Sequence, residues 1–137
     1  MEKFIRDETL KAMGFFGDAA VQTFYKKTAE RKFETTRCAE CGHLFFPPRA
    51  LCVKCGSQNL EWAALSGRGK LYAFSWQERS LRFPKPDVIG IVELEEENLW
   101  VFTRIIGKYE ELKIGMPVRV DFIEVLPGFV LHQFVPE

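Results

Sequence analysis

The chain has 137 residues, enough for one ordinary domain and a small appendage, and 47% of them are hydrophobic, which is typical of a globular protein. Lysine plus arginine equals aspartate plus glutamate at 19 each, so the net charge is zero and does not attract the chain to nucleic acid or to an anionic membrane. No apolar stretch is long enough to span a bilayer, and the first ten residues carry five charges instead of an apolar signal segment, so we expect a cytoplasmic protein.

Residues 1–32 carry a helical pattern and are interpreted as an N-terminal helical arm. Asp18 is a suitable N-cap for a helix over 19–31, in which apolar residues recur at three- and four-residue steps, namely Val21, Phe24, Tyr25 and Ala29. Because so short a helix is marginal alone, the arm must pack on its own domain or on another chain. We hypothesise that residues 1–17 dock on a partner; a deletion that leaves complex formation intact would exclude this.

All four cysteines lie within a short segment, 33–60, as two Cys-x-x-Cys pairs that are each followed by a glycine: Cys38 and Cys41, then Cys52 and Cys55. Four thiolates at this spacing can close a tetrahedral zinc site with Zn–S distances of about 2.3 Å, and such a site leaves no open position for catalysis. The metal is therefore predicted to be structural. Gly42 and Gly56 are expected to turn the chain with positive φ, which leaves their amides free to face the thiolates. A segment this small cannot fold by hydrophobic contact alone, so chelation should unfold it first.

Other uses of the cysteines are less well supported. Disulfides would need an oxidising compartment, which the charged N-terminus does not indicate. A thioredoxin-type redox pair would lie between a strand and a helix of a βαβ unit, and neither pair does. Rubredoxin-type iron uses the same four ligands, so the cysteine spacing does not distinguish iron from zinc. Zinc is favoured because nothing nearby indicates an electron-transfer partner. His43 follows the first pair and is interpreted as a surface histidine, since the four cysteines complete the shell.

The C-terminal part, 61–137, consists of short runs of period two bounded by glycine, proline or acidic turns. With the run that begins at residue 60, six strands are predicted, over 60–65, 70–76, 88–94, 99–106, 118–125 and 129–135. Gly90 lies inside one of them, where a bend or a β-bulge is expected. Five or six strands at this spacing suit a small OB-fold barrel better than a β-sandwich. The predicted fold is therefore mainly β: helical arm (1–32), zinc ribbon (33–60) and OB-fold barrel (61–137).

The order of these motifs resembles a known family. After the helix and the paired cysteines with their Phe-Pro-Pro, the resemblance rests on 60–62 (Leu-Glu-Trp), 66–69 (Ser-Gly-Arg-Gly), 92–94 (Val-Glu-Leu) and 114–118 (Ile-Gly-Met-Pro-Val). From about residue 20 onward the chain is similar to acyl-CoA-associated OB-fold proteins that carry a rubredoxin-like zinc ribbon. The resemblance implies a non-catalytic subunit that assembles with thiolases, hydroxymethylglutaryl-CoA synthases or related enzymes and helps hold the CoA thioester. It also implies a ribbon that docks and a barrel that faces CoA.

The chain departs from that family in two places. Family members usually carry a glycine where the first helix ends, whereas this chain has Glu30-Arg31-Lys32, which leaves the end of the helix open. The arm before Ala20 does not match and is a candidate determinant of partner choice. The family has no shared catalytic motif, so only the four cysteines are carried over.

A catalytic function is not supported by the residues present. Every cysteine is assigned to the metal, so none remains as a thiolase-type nucleophile, and no serine lies in a Gly-x-Ser-x-Gly elbow. Gly67-Arg68-Gly69 is too short for a phosphate loop and lies between strands rather than before a helix. His132 lies in the last predicted strand and is interpreted as a barrel-wall residue. On its own the chain is therefore not expected to be an enzyme.

Binding of coenzyme A requires cations near the phosphates and apolar surface beside the pantetheine arm. The loop over 79–86 offers both, and its candidate CoA or partner contacts are Arg79, Arg82, Phe83 and Lys85. Arg49 and Lys54, which flank the second cysteine pair, are the next candidates. We therefore predict that the protein is a cytoplasmic accessory subunit. It would bind a thiolase-like partner in a hetero-oligomer and complete that partner's acyl-CoA site.

The alternative is a protein that binds single-stranded nucleic acid. Tyr72, Phe74 and Trp76 alternate along one strand, with Trp100 and Phe102 in another, as a stacking platform would. Barrel core is the commoner explanation for such a stripe, and the zero net charge does not favour phosphate binding. A third possibility, a ribbon scaffold for an unrelated complex, is not distinguished from the first by sequence.

Overall fold

A computed structural model describes residues 19–79, 86–96 and 98–137, and its fold is mainly β with one helix before a cysteine ribbon and a closed barrel. The predicted class is thereby confirmed. In chain order the elements are α1 (Ala19–Ala29), β1 (Glu34–Cys38), β2 (Leu44–Phe45), β3 (Leu60–Ala64), β4 (Arg68–Gln77), β5 (Asp87–Leu94), β6 (Trp100–Ile105), a 3-10 turn (Tyr109–Glu111), β7 (Pro117–Leu126) and β8 (Phe129–Pro136). Within these ranges, no helix has the length and apolar character needed to cross a membrane.

Helix α1 ends two residues earlier than the sequence pattern predicts. Arg31 adopts a left-handed conformation with φ of 63°, and two backbone hydrogen bonds close the helix, from Arg31 to the Thr28 carbonyl (2.9 Å) and from Lys32 to the Lys27 carbonyl (2.9 Å). This pair of bonds is the Schellman arrangement that usually has glycine at the left-handed position. The chain therefore ends α1 in the usual way, at a cost of about 1 kcal/mol for placing a side chain there.

The ribbon is a three-stranded antiparallel sheet in the order β2-β1-β3. The strand that was predicted to begin the barrel is β3, which instead pairs with β1 through Thr35 opposite Ala63 and Thr36 opposite Trp62. The assignment of residues 60–65 to the barrel was therefore wrong, and the barrel has five strands, the lower of the two numbers predicted. β2 covers one edge of β1, and β3 pairs the backbone groups along the other edge, which would otherwise be exposed.

The remaining five strands close into a barrel in the order β4-β5-β6-β8-β7. All neighbours are antiparallel except β6 and β8, which are parallel and joined by one bridging pair, Ile105 with Phe134. The fully buried side chains inside the barrel come from every strand: Leu71, Val92, Val101, Ile105, Val118 and Phe134. The scarcity of pairing between β6 and β8 leaves one part of the wall to be completed by other elements.

A β-bulge interrupts β4. Leu71 lies opposite Val92 and Ala73 lies opposite Ile91, so Tyr72 is the extra residue. The sequence predicted a bend or a bulge at Gly90, and the bulge lies in β4 instead. Gly90 instead permits a close approach, because a Cβ atom built there would lie 2.6 Å from the carbonyl oxygen of Ala73.

Helix α1 and the ribbon share one core with the barrel. Phe24 of α1 and Phe33, just before β1, belong to the main buried cluster. Phe33 contacts Phe134 of β8 with ring centroids 5.9 Å apart, and the Thr28 hydroxyl donates to the Val130 carbonyl at 2.8 Å. Whether 1–32, 33–60 and 61–137 behave as separate domains remains a prediction.

Candidate functional site

The four cysteines come together at one end of the ribbon. Their Sγ atoms all lie within 4.8 Å of one another, and the two shortest separations are Cys38 to Cys55 at 3.5 Å and Cys41 to Cys52 at 3.7 Å. Four sulfur atoms around a zinc ion, each at about 2.3 Å, would be about 3.8 Å apart. The residues therefore fit a tetrahedral zinc ion, which they would hold with four thiolates and no position open to a substrate.

Backbone amides stabilise thiolates at the two buried cysteines. The N–H of Cys41 donates to the Cys38 sulfur at 3.4 Å, and this bond lowers the pKa of Cys38. At Cys52 burial raises the pKa, but backbone N–H groups at Cys55 and Lys54 oppose it and, with the neighbouring thiols, bring the pKa to about 6. The ribbon backbone is therefore arranged for deprotonated sulfur, the form that binds metal.

Cys55 indicates that the cluster needs a cation. A backbone hydrogen bond at Ser57 lowers the pKa of Cys55. The Cys38 sulfur, burial and the other two cysteine sulfur atoms outweigh that bond and raise the pKa to about 12. Four thiolates this close repel one another, so they can all be deprotonated only around a positive ion.

A glycine follows each cysteine pair because the chain reverses there. Gly42 and Gly56 have φ of 78° and 79°, as the sequence predicted. Their amides were expected to face the thiolates, and this was wrong. Each instead donates to the carbonyl oxygen of the first cysteine in its pair, Gly42 to Cys38 at 2.9 Å and Gly56 to Cys52 at 3.0 Å.

Three of the predicted CoA or partner residues fall within the described part of the chain, at two separate positions. Arg49 and Lys54 are exposed on the ribbon, and Arg79 is exposed just after β4 at the end of the barrel. Arg82, Phe83 and Lys85 lie outside the described residues. Their role in binding stays a prediction.

An exposed aromatic surface lies on the outside of the barrel. We define it as Tyr72, Trp100 and Phe102, whose exposed fractions are 47%, 51% and 55%. The rings of Tyr72 and Trp100 stack with centroids 4.6 Å apart. The sequence favoured barrel core for these residues, and this was wrong. The cause is the bulge, which turns Tyr72 toward the outer face that Trp100 and Phe102 occupy.

The other two residues of the predicted stripe lie on the inner face. Phe74 packs against the buried core, and Trp76 pairs in register with the buried Val88 near the end of the barrel. Both rings contact Tyr109, at centroid distances of 5.4 Å and 6.4 Å. The single stripe read from the sequence is therefore two surfaces.

An apolar groove of about 390 Å³ adjoins the aromatic surface, where β6 and β8 diverge. Helix α1, the ribbon and both strands line it through Val21, Phe24, Tyr25, Phe46, Pro47, Pro48, Trp100, Phe102 and His132. His132 lies in β8 as predicted, and its Nδ1 is 3.1 Å from the Thr103 hydroxyl. Sequence reasoning missed the groove because four distant segments contribute to it.

Family comparisons match the two parts of the structure separately. Residues 26–61 match the rubredoxin-like zinc ribbon domain of ChsH2, and residues 62–122 match the C-terminal OB-fold domain of ChsH2. A solved structure, the Ltp2-ChsH2(DUF35) aldolase, superposes with a TM-score of 0.77 at 29% identity, over 87% of this chain and 95% of that chain.

Three curated proteins are similar to this chain in sequence. A DUF35 domain-containing scaffold protein of Methanothermobacter thermautotrophicus is 35% identical over 66% of this chain and 71% of its own length. The benzoylsuccinyl-CoA thiolase subunit BbsA of Geobacter metallireducens is 34% identical over 62% of each. A probable enoyl-CoA hydratase alpha subunit of Thermomonospora curvata is 31% identical over 82% of this chain but only 36% of its own length. The chain thus spans about a third of that last relative.

Proposed function

The chain belongs to the DUF35 family of scaffold proteins with a ChsH2-type zinc ribbon and OB-fold, and from this we propose that it is a non-catalytic subunit of an acyl-CoA enzyme complex. Relatives named as subunits of a thiolase and of an enoyl-CoA hydratase, and the solved ChsH2-containing aldolase, support an acyl-CoA enzyme as the partner. A thiolase-like enzyme is the specific partner we propose. That partner supplies the nucleophile and the acid and base groups.

The exposed aromatic surface is the observation that carries this proposal. Tyr, Trp and Phe are enriched where proteins associate, and Tyr and Trp are frequent hot spots. Here three such side chains are each about half exposed beside an apolar groove. A single exposed aromatic residue would need no explanation, but a cluster continuous with a groove is typical of a surface that another molecule covers. We place the partner there.

The zinc ribbon gives the partner a rigid surface. Phe46 and Pro47 of the ribbon line the groove, and Phe46 contacts Phe24 of α1 with ring centroids 5.8 Å apart. Metal binding fixes the ribbon strands and therefore fixes this side of the groove. In this proposal zinc acts through structure, and no step of the reaction passes through it.

We further propose that the chain helps hold the CoA thioester. The cations Arg79, Arg82 and Lys85 would contact the CoA phosphates, with Phe83 beside them. Arg49 and Lys54 are assigned to the partner rather than to CoA. The triple variant Arg79→Ala, Arg82→Ala, Lys85→Ala should weaken CoA binding by the assembled complex about tenfold. Isothermal titration of the complex with CoA measures this, and unchanged affinity would remove the loop from the site.

The partner proposal is tested by replacing the aromatic surface. Trp100→Ser together with Phe102→Ser should weaken association with the acyl-CoA enzyme that co-purifies with the native chain by about 100-fold, since buried aromatic anchors carry most interface energy. Biolayer interferometry with the purified enzyme measures the affinity.

Trp76→Ser is the matched control for that double variant, because Trp76 is also 51% exposed but lies on the inner face near the end of the barrel. It should bind like the wild type. Equal affinity of the double variant and the wild type would contradict the placement of the partner on the aromatic surface.

One observation favours the nucleic-acid alternative. The exposed stack of Tyr72 on Trp100 offers flat rings on which bases could stack. The zero net charge opposes it, because phosphate tracking needs excess positive charge. Salt-dependent binding of a labelled oligonucleotide at micromolar protein, lost on Trp100→Ser, would establish this alternative.

A further inference from the structure

The loop that carries the second cysteine pair exposes Arg49, Leu51, Val53 and Lys54, which we call the second-knuckle patch. Leu51 is 49% exposed and Val53 is 57% exposed, although Cys52 between them is buried. Arg49 and Lys54 are exposed on either side in the sequence. Two aliphatic side chains and two cations thus stand on one loop that is not part of the groove.

The backbone of this patch is fixed. The backbone amide of Cys52 donates to the Ser57 carbonyl at 2.9 Å, and the Lys54 amide donates to the Cys52 sulfur at 3.4 Å. At the other end of the patch, the Arg49 amide donates to the Thr36 hydroxyl of β1 at 3.2 Å. With zinc on Cys52 and Cys55, the loop would be held at several points, so docking would order only the side chains.

The charge of the patch has one sign. Between residues 41 and 60 the sequence contains no aspartate or glutamate. The first cysteine pair differs, because it carries Ala39 and the acidic Glu40, whose carboxylate accepts a hydrogen bond from Asn59 at 3.3 Å. The two knuckles therefore present different surfaces, and only the second combines exposed aliphatic side chains with cations.

We propose that the second-knuckle patch docks into an apolar depression with carboxylates at its rim on the acyl-CoA enzyme that the chain assembles with. Leu51 and Val53 enter the depression, and Arg49 and Lys54 pair with the rim carboxylates. This inference rests on the proposed function and adds the chemistry of the partner surface. Charge complementarity of this kind sets orientation and raises the association rate, while the apolar contacts at the centre supply affinity.

A protein fits this patch better than a nucleic acid does. Two cations neutralise too few phosphates for useful affinity, since nucleic-acid binders commonly make about 6–10 phosphate contacts. Exposed Leu51 and Val53 also offer no flat ring on which a base could stack. An apolar socket in a folded protein uses both the aliphatic pair and the cation pair.

The test uses the full-length zinc-loaded chain and the acyl-CoA enzyme that co-purifies with it. Leu51→Ser with Val53→Ser should weaken association at least about tenfold at every ionic strength. Arg49→Glu with Lys54→Glu should also weaken it about tenfold at low ionic strength, but the loss should shrink at high ionic strength because salt screens rim charges. Biolayer interferometry measures both, and metal analysis verifies that each variant retains zinc.

The controls match each variant in chemistry. Ile114→Ser removes an aliphatic side chain that is 64% exposed on the barrel, and Lys108→Glu with Lys113→Glu reverses two exposed cations elsewhere. Both should associate like the wild type. If the wild type captures an acyl-CoA enzyme and the patch variants bind it equally well, this inference fails while the proposed function stands.

Two other outcomes also decide the question. If the wild type captures no acyl-CoA enzyme, the proposed function fails and this inference fails with it. If Arg49→Glu with Lys54→Glu abolishes binding of a labelled oligonucleotide while enzyme binding is unchanged, the patch serves nucleic acid and the inference is overturned.

Discussion

Replacing Cys52 with serine is expected to release the metal and unfold the ribbon. Cys52 is buried, its sulfur lies 3.7 Å from that of Cys41, and serine cannot supply a thiolate at that position. Structural zinc contributes about 10–16 kcal/mol to the folding of zinc-finger peptides, more than a sheet of this size gains from its own packing. Metal analysis should fall from about one zinc per chain to none, and hydrogen exchange should show lost protection across residues 34–64.

Loss of the metal should also destabilise the barrel, but less than it destabilises the ribbon. Phe46 and Trp62 of the ribbon pack against the main buried cluster, so the barrel should remain folded but unfold at a lower temperature. Gln58→Ala, an exposed change in the same loop, should leave both zinc content and exchange unaltered. A Cys52→Ser chain that keeps one zinc and a protected ribbon would contradict the four-cysteine site.

Phe33→Ala is expected to give the second large effect. Phe33 is buried where the ribbon meets the barrel, and its ring contacts Phe46, His132 and Phe134 at centroid distances of 5.7, 5.6 and 5.9 Å. Truncating a buried phenylalanine costs about 3–5 kcal/mol, a large part of the about 5–15 kcal/mol of a typical domain. Denaturant unfolding of the zinc-loaded chain measures the change in free energy.

Phe102→Ala provides the comparison, because Phe102 is the same residue type but more than half exposed. Its free energy of unfolding should change by less than about 1 kcal/mol. If both variants unfold at the same denaturant concentration as the wild type, Phe33 does not join the ribbon to the barrel as described.

The sequence predicted the metal site well because its determinants are local. Two Cys-x-x-Cys pairs specify four ligands whatever the rest of the chain does, and Gly42 and Gly56 adopt the positive φ that their positions required. The strands were also predicted, since period two in Val88 to Leu94 survives in β5. Each of these two patterns can be recognised within one short stretch of the chain.

The features that failed depend on distant residues. The period-two pattern of Tyr72, Phe74 and Trp76 holds in the sequence, but one bulge moves Tyr72 to the opposite face. Strand β3 alternates like a barrel strand, yet it pairs with the edge of β1 that β2 does not occupy. No local pattern contains these pairings, so the aromatic surface and the groove beside it could not be predicted.

We propose that this chain assists an acyl-CoA enzyme without catalysing a reaction itself. The most direct measurement is acyl-CoA turnover by the co-purified enzyme alone, by this chain alone, and by the two mixed at increasing ratios. We predict no turnover by this chain alone and an increase in the enzyme's turnover that saturates at a fixed ratio of the two chains. Turnover by this chain alone, or an enzyme whose activity does not change on mixing, would contradict the claim.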